Sequence, residues 1–462
     1  MGPRRRVQQQ DVLKKGLPWT VLPQPLYSPI GIFATGNPNP TFDQISTRVS
    51  ATKMGSRGVM TWLDKLEEQL NVDVDWMDPE YIKSMPIVPH DQTSNQLWVD
   101  IQLGHPSNRD LLLETAKELK DEGWLAIYTR MVRSRAPSFI VVTLMQNKRD
   151  HSIKLTSPPT PGEHVQAVLM CKKNIDSIRG RVLLQTLPSN AYKTQETLDH
   201  ARLYDREFAR AGVGRDRYCI KIPSTGPALN AAKVLSSEGI PTLGTALFGL
   251  PQAIACSQAG MLYISPYYNE GRKEVRAHDE PEALWPDVKD PATQHPMSAR
   301  IVQIIEMYKR LYKETGREQP LVKNASFISA KEAMAAGEMG CHSATISHTV
   351  LDQLAKLPYD GAAQPGEGVP KPAHVYRDAG PPPARLRRLV DVDPLAPAGW
   401  DGKPAAAASA TNVDYLGDGG AELQRAIEAD AITATRLADA LKLFIGGEES
   451  SRAKIEEVLG KI

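Results

Sequence analysis

The residue of this chain best suited to chemistry is a lysine near the carboxyl end of a short β-branched segment. Lys221 lies in the sequence Tyr-Cys-Ile-Lys-Ile-Pro, which stops at Pro223. If this segment is a buried strand, the ammonium must be paired or neutralised, because an isolated buried charge is very costly. A neutral, buried lysine amine is what an enzyme needs to form a Schiff base. The alternative is a side chain that extends from the strand end into solvent.

The elements that would position this lysine follow a regular order between residues 71 and 358. Short apolar segments alternate with helical patterns, which is typical of a parallel sheet covered on both faces. The predicted strands are 72–76, 96–101, 181–186, 217–222, 242–248, 261–266, 321–327 and 343–347. Eight strands over this length predict an α/β protein with a (β/α)₈ TIM barrel. A doubly wound open sheet also fits the alternation, but no GxGxxG follows the first strand.

Three other regions flank the predicted barrel. Residues 1–70 are interpreted as an N-terminal extension with a helical pattern at 60–70. Residues 359–411 are rich in Pro, Ala and Gly and are interpreted as a linker or arm. Residues 412–462 return to a helical pattern whose apolar stripe predicts packing on the barrel, with a break at Gly446-Gly447.

The overall composition argues against several classes of partner. The 462 residues carry a formal net charge of +1, which gives no indication of nucleic-acid or membrane-surface binding. No apolar stretch reaches the ~18 residues of a membrane span. The four cysteines are widely spaced without a CxxC pair, which argues against a zinc site or a disulfide framework. We therefore expect a cytoplasmic protein, which can be a homo-oligomer.

Several motifs in this region resemble the transaldolase family. The most specific strings are RYCIKIPST, GIPTLGTALFGLPQAIACSQAG and ISPYYN, between residues 217 and 269. Weaker similarity continues in GRVLLQTLPS, HDQTSNQL and NASFISAKEAMAAGEMGCHSATIS. The PTLGTA block is especially similar to the fructose-6-phosphate aldolase branch. The resemblance implies that Lys221 forms a Schiff base with a ketone or aldehyde, without a cofactor or metal ion.

The resemblance also implies roles for two residues near the first two strands. Asp75 matches an aspartate that handles the proton of a substrate hydroxyl. The alternative is a helix N-cap ahead of Pro79. Asn95 matches a substrate-binding asparagine, and the alternative is an ordinary turn residue.

Three further residues match positions that hold a catalytic water and move protons. Thr245 matches the threonine that holds the water. Gln185 replaces the glutamate of transaldolases, and Tyr267 replaces their phenylalanine, as in the aldolase branch. A glutamine can orient a water but cannot act as a base. The alternative for Tyr267 is packing at a strand end. The resemblance adds two substrate-contacting serines, which are Ser265 and Ser326.

The chain departs from the family at the residues that bind phosphate. Glu270 and Ile328 occupy the places of the two phosphate-binding arginines. Losing two charge-assisted contacts should cost about 10²- to 10⁴-fold in affinity for a sugar phosphate. Arg272 can substitute if its loop is rearranged, and Arg276 and Lys323 are weaker candidates. We therefore predict a small carbonyl substrate without a phosphate group.

The sequence thus predicts a transaldolase-like Schiff-base enzyme for aldol, retro-aldol or related iminium and enamine chemistry, and we expect a role in specialised metabolism. Two alternatives remain open. The first is a genuine transaldolase that moves a dihydroxyacetone unit between sugar phosphates. The second is a barrel that serves as a non-catalytic scaffold, with the long termini as its working parts.

Overall fold

Eight parallel strands form a closed barrel in which each strand pairs with the next and β8 pairs with β1. The computed structural model describes residues 59–130, 167–270, 288–396 and 412–462. The predicted (β/α)₈ barrel is confirmed. The strands are β1 Asn71–Val74, β2 Gln92–Thr93, β3 Val182–Gln185, β4 Tyr218–Pro223, β5 Thr242–Leu247, β6 Tyr263–Pro266, β7 Leu321–Asn324 and β8 Ser343–Ile346.

The described helices surround the barrel and extend beyond it. Those up to β4 are α1 Trp62–Gln69, α2 Pro79–Ser84, α3 Gln96–Gly104, α4 Arg109–Leu119, α5 Trp124–Arg130, α6 Ala167–Ile175 and α7 Thr194–Arg210. The others are α8 Gly226–Ser237, α9 Leu250–Gln258, α10 Pro291–Gln294, α11 Pro296–Thr315, α12 Ala330–Met339, α13 His348–Lys356, α14 Ala421–Ala429 and α15 Ala431–Leu459. Within the described ranges, no helix is both long enough and apolar enough to span a bilayer.

The second strand is not where the sequence predicted it. Residues 96–101 begin helix α3, and β2 contains only Gln92 and Thr93. The side chain of Asn95 accepts hydrogen bonds from the backbone N–H groups of Leu97 and Trp98, which caps the helix. The apolar residues that follow are buried at helical spacing, so the prediction of a strand was wrong.

The last helix continues through the predicted break. Helix α15 runs without interruption from Ala431 to Leu459, although Gly446 and Gly447 lie inside it. A Cβ on Gly447 would lie 3.0 Å from the carbonyl carbon of Gln96. Glycine at 447 therefore lets α15 pack closely against the start of α3. This packing offsets the low helix propensity of glycine.

Helix α15 contacts loops at the carboxyl end of the barrel, which we call the mouth. The backbone of Gln96, which lies beside Gly447, is at the start of α3, shortly after β2. Ser189, after β3, donates its hydroxyl proton to Glu448 at 2.6 Å. Gly249, after β5, lies beside Thr433. The C-terminal extension thus packs on the side of the barrel where enzymes of this fold place their active sites.

The described part of the arm, residues 359–396, also packs on the barrel. Leu386 and Leu389 are buried in the core. Arg385 forms ion pairs with Asp290 and Glu338, which tie the arm to the ends of α10 and α12. The exact domain boundaries stay a prediction.

Candidate active site

The predicted reactive lysine points into the barrel. Lys221 is the fourth residue of β4, and only 4% of its side chain is exposed. It does not extend into bulk solvent. The strand register places it beside Gln185 on β3 and Leu243 on β5, neither of which carries a charge.

A pair of hydroxyl groups lies at the mouth on the next two strands. Thr245 Oγ1 and Tyr267 OH are 3.0 Å apart and form a hydrogen bond. Thr245 pairs in register with Pro223, two residues beyond the lysine. The ring of Phe248 packs edge-on against Tyr267 with a centroid distance of 5.6 Å. This packing orients the phenol, and the hydroxyl pair can pass a proton from one oxygen to the other.

Gln185 has an amide group that the described protein leaves without partners. Its side chain is fully buried, and neither Nε2 nor Oε1 has a hydrogen-bond partner among the described residues. Its backbone carbonyl, in contrast, accepts from Gln96 Nε2 at 2.9 Å and from Tyr204 OH at 3.2 Å. Buried polar groups are normally hydrogen-bonded, so this amide is suited to hold a water molecule or a substrate group.

Asp75 lies buried just beyond β1 and is not a helix cap. Its Oδ1 accepts the hydroxyl proton of Thr93 at 2.5 Å. The N-cap of α2 is Asp78, whose side chain accepts from the backbone N–H of Glu80. The capping alternative for Asp75 is therefore excluded, and its carboxylate remains in the polar interior of the mouth.

The three predicted substrate-binding residues in the described chain differ in their local roles. Asn95 Oδ1 is used by the cap of α3, which leaves its amide nitrogen as the group suited to a ligand. Ser265 is buried on β6. Ser326 has a positive φ of 67° and donates its hydroxyl proton to the carbonyl of Asn269 at 3.2 Å. Arg272, like Arg276, lies outside the described residues.

An internal carboxylate occupies the hydrogen-bond donors of the loops after β6 and β7. Glu332 Oε2 accepts from the backbone N–H of Ile328 at 2.8 Å and from Asn269 Nδ2 at 2.7 Å. Glu332 is buried at the start of α12. This buried carboxylate was missed in the sequence, where it reads as an ordinary helix-capping glutamate.

A second interior lysine forms a separate cluster nearer the amino ends of the strands. Lys323 Nζ lies 2.7 Å from carboxylate oxygens of both Asp73 and Asp91. It also lies 4.4 Å from the ring centroid of Tyr263, the first residue of β6. We call Lys323, Asp73 and Asp91 the ion cluster. Lys323 was proposed as a weak phosphate candidate, and this was wrong because its ammonium is buried against two carboxylates.

The two carboxylates of the ion cluster stabilise the positive charge of Lys323. Burial alone would lower the pKa of Lys323, but the two aspartates raise it above its ordinary value. Burial raises the pKa of Asp73 to about 6. Asp73, His90 and Asp91 present ligand atoms within 4.8 Å of one another, as a metal site does. In this structure the lysine ammonium supplies the positive charge between the aspartates.

Comparison with known proteins agrees with this geometry. Residues 161–376 match the family model described as Transaldolase/Fructose-6-phosphate aldolase. Over residues 161–376 the chain is therefore similar to the transaldolase family, as its motifs predicted. The matched segment contains β3 to β8 and therefore Lys221, whereas Asp75 and Asn95 precede it. The match covers both branches of the family together, so it does not select the aldolase branch.

Curated relatives in the transaldolase family have modest identity. A protein named transaldolase from Gloeobacter violaceus is 28% identical over 296 residues, which cover 63% of this chain and 64% of the relative. One from Nostoc punctiforme is 34% identical over 196 residues, which cover 42% and 55%. One from Acidobacterium capsulatum is 27% identical over 315 residues, which cover 66% and 81%. The chain thus spans less than two thirds of the length of the first two relatives.

Proposed function

We propose that this chain is a Schiff-base enzyme of the class I aldolase and transaldolase type, acting on a small carbonyl substrate. The observation that supports this best is the position of Lys221, buried inside the barrel near the mouth beside the uncharged Gln185. The proposed reaction uses the neutral form of this amine, since a buried ammonium is costly without a counter-charge. A neutral amine is the nucleophile that the reaction needs.

The first steps of the proposed reaction use this amine. Nζ of Lys221 attacks the carbonyl carbon and forms a carbinolamine. Loss of the former carbonyl oxygen as water then gives an iminium ion. In the retro-aldol direction, the adjacent C–C bond breaks and its electron pair moves into the iminium, which becomes an enamine. The aldol direction reverses these steps.

Proton transfers in this scheme require the other mouth residues. Asp75 accepts the proton of the hydroxyl group that becomes an aldehyde when the C–C bond breaks. The Tyr267 hydroxyl, hydrogen-bonded to Thr245 at 3.0 Å, donates the proton that converts the carbinolamine oxygen into water. Gln185 orients the water that carries this proton, through an amide that lacks partners in the described chain. Asn95, Ser265 and Ser326 contact the substrate.

The charges near the loops after β6 and β7 favour a substrate without phosphate. Glu332 already uses the N–H of Ile328 and the amide of Asn269. Glu270, which is 33% exposed, adds a second carboxylate. Among the described residues, a phosphate dianion placed here would face two like charges, and the two donors named above are already used by Glu332.

Reductive trapping tests the mechanism directly. Borohydride added with a ketone should fix the carbon skeleton on Lys221, and peptide mass spectrometry should locate the adduct there. Lys221→Met should abolish both the adduct and turnover, while Lys233→Met, a change at an exposed lysine, should alter neither. An adduct on another lysine, or full activity of Lys221→Met, would contradict the proposal.

The name of the curated relatives favours a second candidate function. According to this second candidate function, the chain transfers a dihydroxyacetone unit between sugar phosphates. An assay with fructose 6-phosphate and erythrose 4-phosphate separates the two. Turnover in that assay at a KM well below that for unphosphorylated ketoses would support the second candidate. No turnover and no trapped adduct with any carbonyl compound would instead favour a scaffold.

A further inference from the structure

An arginine of the last helix lies beside the loop after β6. Arg436 Nη2 on α15 is 3.5 Å from Oε1 of Glu270, and 11% of the arginine side chain is exposed. Glu270 is three residues beyond Tyr267, the proposed proton donor. Arg436 lies outside the segment that matches the family model, so the match gives it no role.

The guanidinium of Arg436 is short of partners. Its Nη1 is buried and has no hydrogen-bond partner in the described part of the chain. Burial, together with the nearby charge of Arg300, lowers its pKa, and Glu270 opposes this effect. Arginine offers five N–H donors, and leaving them buried without acceptors is costly. An anionic ligand would therefore stabilise this guanidinium by supplying the acceptor that its Nη1 lacks.

Arg300 shows how a structural arginine of the same region is satisfied. It is almost fully buried, but its guanidinium donates to Asp393 at 3.0 Å, to the carbonyl of Phe248 at 3.0 Å and to the carbonyl of Leu395 at 3.0 Å. The same Phe248 packs against Tyr267. Arg300 is thus linked to Tyr267 through Phe248, and Arg436 contacts Glu270 in the loop after β6. Of the two arginines, Arg436 is the one with a nitrogen that lacks a partner among the described residues.

We infer that Arg436 binds a carboxylate group of the substrate, which takes the place of Glu270 as its partner. This inference rests on the proposed function and narrows its substrate to a carbonyl compound that carries a carboxylate. Exchange of one carboxylate for another keeps the charge balance at Arg436. A phosphate dianion would add charge beside Glu270 and Glu332. The planar guanidinium also matches the two oxygens of a carboxylate.

Three small ketones test the inference by borohydride trapping on Lys221. Pyruvate carries a carboxylate, hydroxyacetone replaces it with a neutral hydroxymethyl group, and dihydroxyacetone phosphate carries a phosphate. Wild-type protein should be half-saturated at a lower concentration of pyruvate than of the other two. Arg436→Gln should raise this concentration about 10- to 100-fold for pyruvate and leave hydroxyacetone unchanged.

Matched variants separate a specific effect from a general one. Arg452→Gln removes another arginine of α15 that lies over the ring of Trp124, and it should change none of the three values. Glu270→Gln removes the competing carboxylate and should lower the half-saturating concentration of pyruvate several-fold. This second variant keeps the test decisive if Arg436→Gln does not fold.

The inference and the proposed function fail in different ways. Calorimetry with propionate measures carboxylate binding without a Schiff base, and binding that Arg436→Gln abolishes supports the inference even if no ketone is trapped. Equal pyruvate values in wild-type protein, Arg436→Gln and Glu270→Gln would overturn it. Tighter binding of dihydroxyacetone phosphate than of pyruvate would also overturn it, because the anion would then be a phosphate.

Discussion

Two interior lysines of the same barrel have opposite surroundings. Lys221 on β4 lies among uncharged strand neighbours near the mouth. Lys323 on β7 contacts the carboxylates of Asp73 and Asp91, both at 2.7 Å. Both side chains are buried, at 4% and 0% exposure. The strand neighbours of Lys221 offer no charge, whereas the two carboxylates beside Lys323 stabilise its ammonium and raise its pKa.

A lysine in an apolar strand is therefore not by itself evidence of a catalytic role. Each lysine follows a β-branched residue in a short strand, so the local sequences carry the same signal. The aspartates that decide the matter are about 250 residues away in the chain. Whether an interior lysine reacts or stabilises the fold depends on which acidic residues the barrel closure brings to it.

Replacement of Lys323 should give the largest effect on stability. Lys323→Met leaves two carboxylates buried without a counter-charge, which should lower the free energy of unfolding by about 3–5 kcal/mol. Lys221→Met should change it by less than about 1 kcal/mol, because the strand neighbours Gln185 and Leu243 carry no charge that the variant would leave unpaired. Urea unfolding measures both. If both variants lose the same stability, the contrast between the two lysines is wrong.

A combined replacement sharpens this test. Lys323→Met together with Asp73→Asn and Asp91→Asn removes the whole ion cluster. This variant should recover much of the lost stability, because neutral side chains often replace buried ion pairs without a net cost. No recovery would mean that packing, rather than charge, explains the loss.

Tyr267→Phe should affect only the region of the reactive lysine. Loss of the proposed proton donor should lower kcat by about 10²- to 10³-fold. The half-saturating ketone concentration for trapping on Lys221 should change much less, since the amine is retained. Steady-state kinetics and trapping measure the two effects separately. Unchanged kcat would remove Tyr267 from the mechanism.

A fall in pH should lower the free energy of unfolding because of a buried histidine near the mouth. His200 Nδ1 accepts the backbone N–H of Leu187, two residues beyond Gln185, and burial lowers the pKa of His200 to about 3. The unfolded chain binds this proton near pH 6.5 and the folded protein does not, so stability falls as the pH drops from about 6.5 to about 3. The slope should be roughly 1.4 kcal/mol per pH unit.

Unfolding titrations of two histidine variants check this slope. His200→Gln should flatten the loss of stability between pH 6 and pH 4. His105→Gln, a change at an exposed site, should leave the slope unaltered. An identical slope in wild-type protein and His200→Gln would contradict the buried neutral state of His200.

The smallest expected effect comes from one hydroxyl group of β5. Thr245→Val removes the hydrogen bond to Tyr267 and should lower kcat about fivefold, in line with about 1 kcal/mol for one such bond. Thr242→Val on the same strand is the control, because the buried hydroxyl of Thr242 has no partner among the described residues. The control should keep full kcat. Equal kcat values in the two variants would dissociate Thr245 from the proton path.

Much of the barrel could be predicted because it follows from local patterns. Seven of the eight strands lie where short apolar segments were expected, and Lys221 is buried near the strand end as its sequence indicated. The alternation of strands and helices indicated a parallel sheet, and the number of predicted strands favoured its closed form. Local sequence patterns were enough to predict those strands whose formation depends on their own side chains.

The failures have two different causes. Residues 96–101 form a helix that Asn95 caps, which is a local signal that the strand prediction overlooked. The other failures depend on distant partners, since Gly447 packs against Gln96 and the carboxylates beside Lys323 lie far away in the sequence. No window of neighbouring residues contains these distant contacts.

The position of α15 has a consequence for how this protein can diverge. The reacting amine belongs to an inner strand, whereas Arg436 belongs to a helix added after the barrel is complete. Substitutions along α15 can therefore change the preferred substrate during evolution, while the reacting lysine on the inner strand is retained.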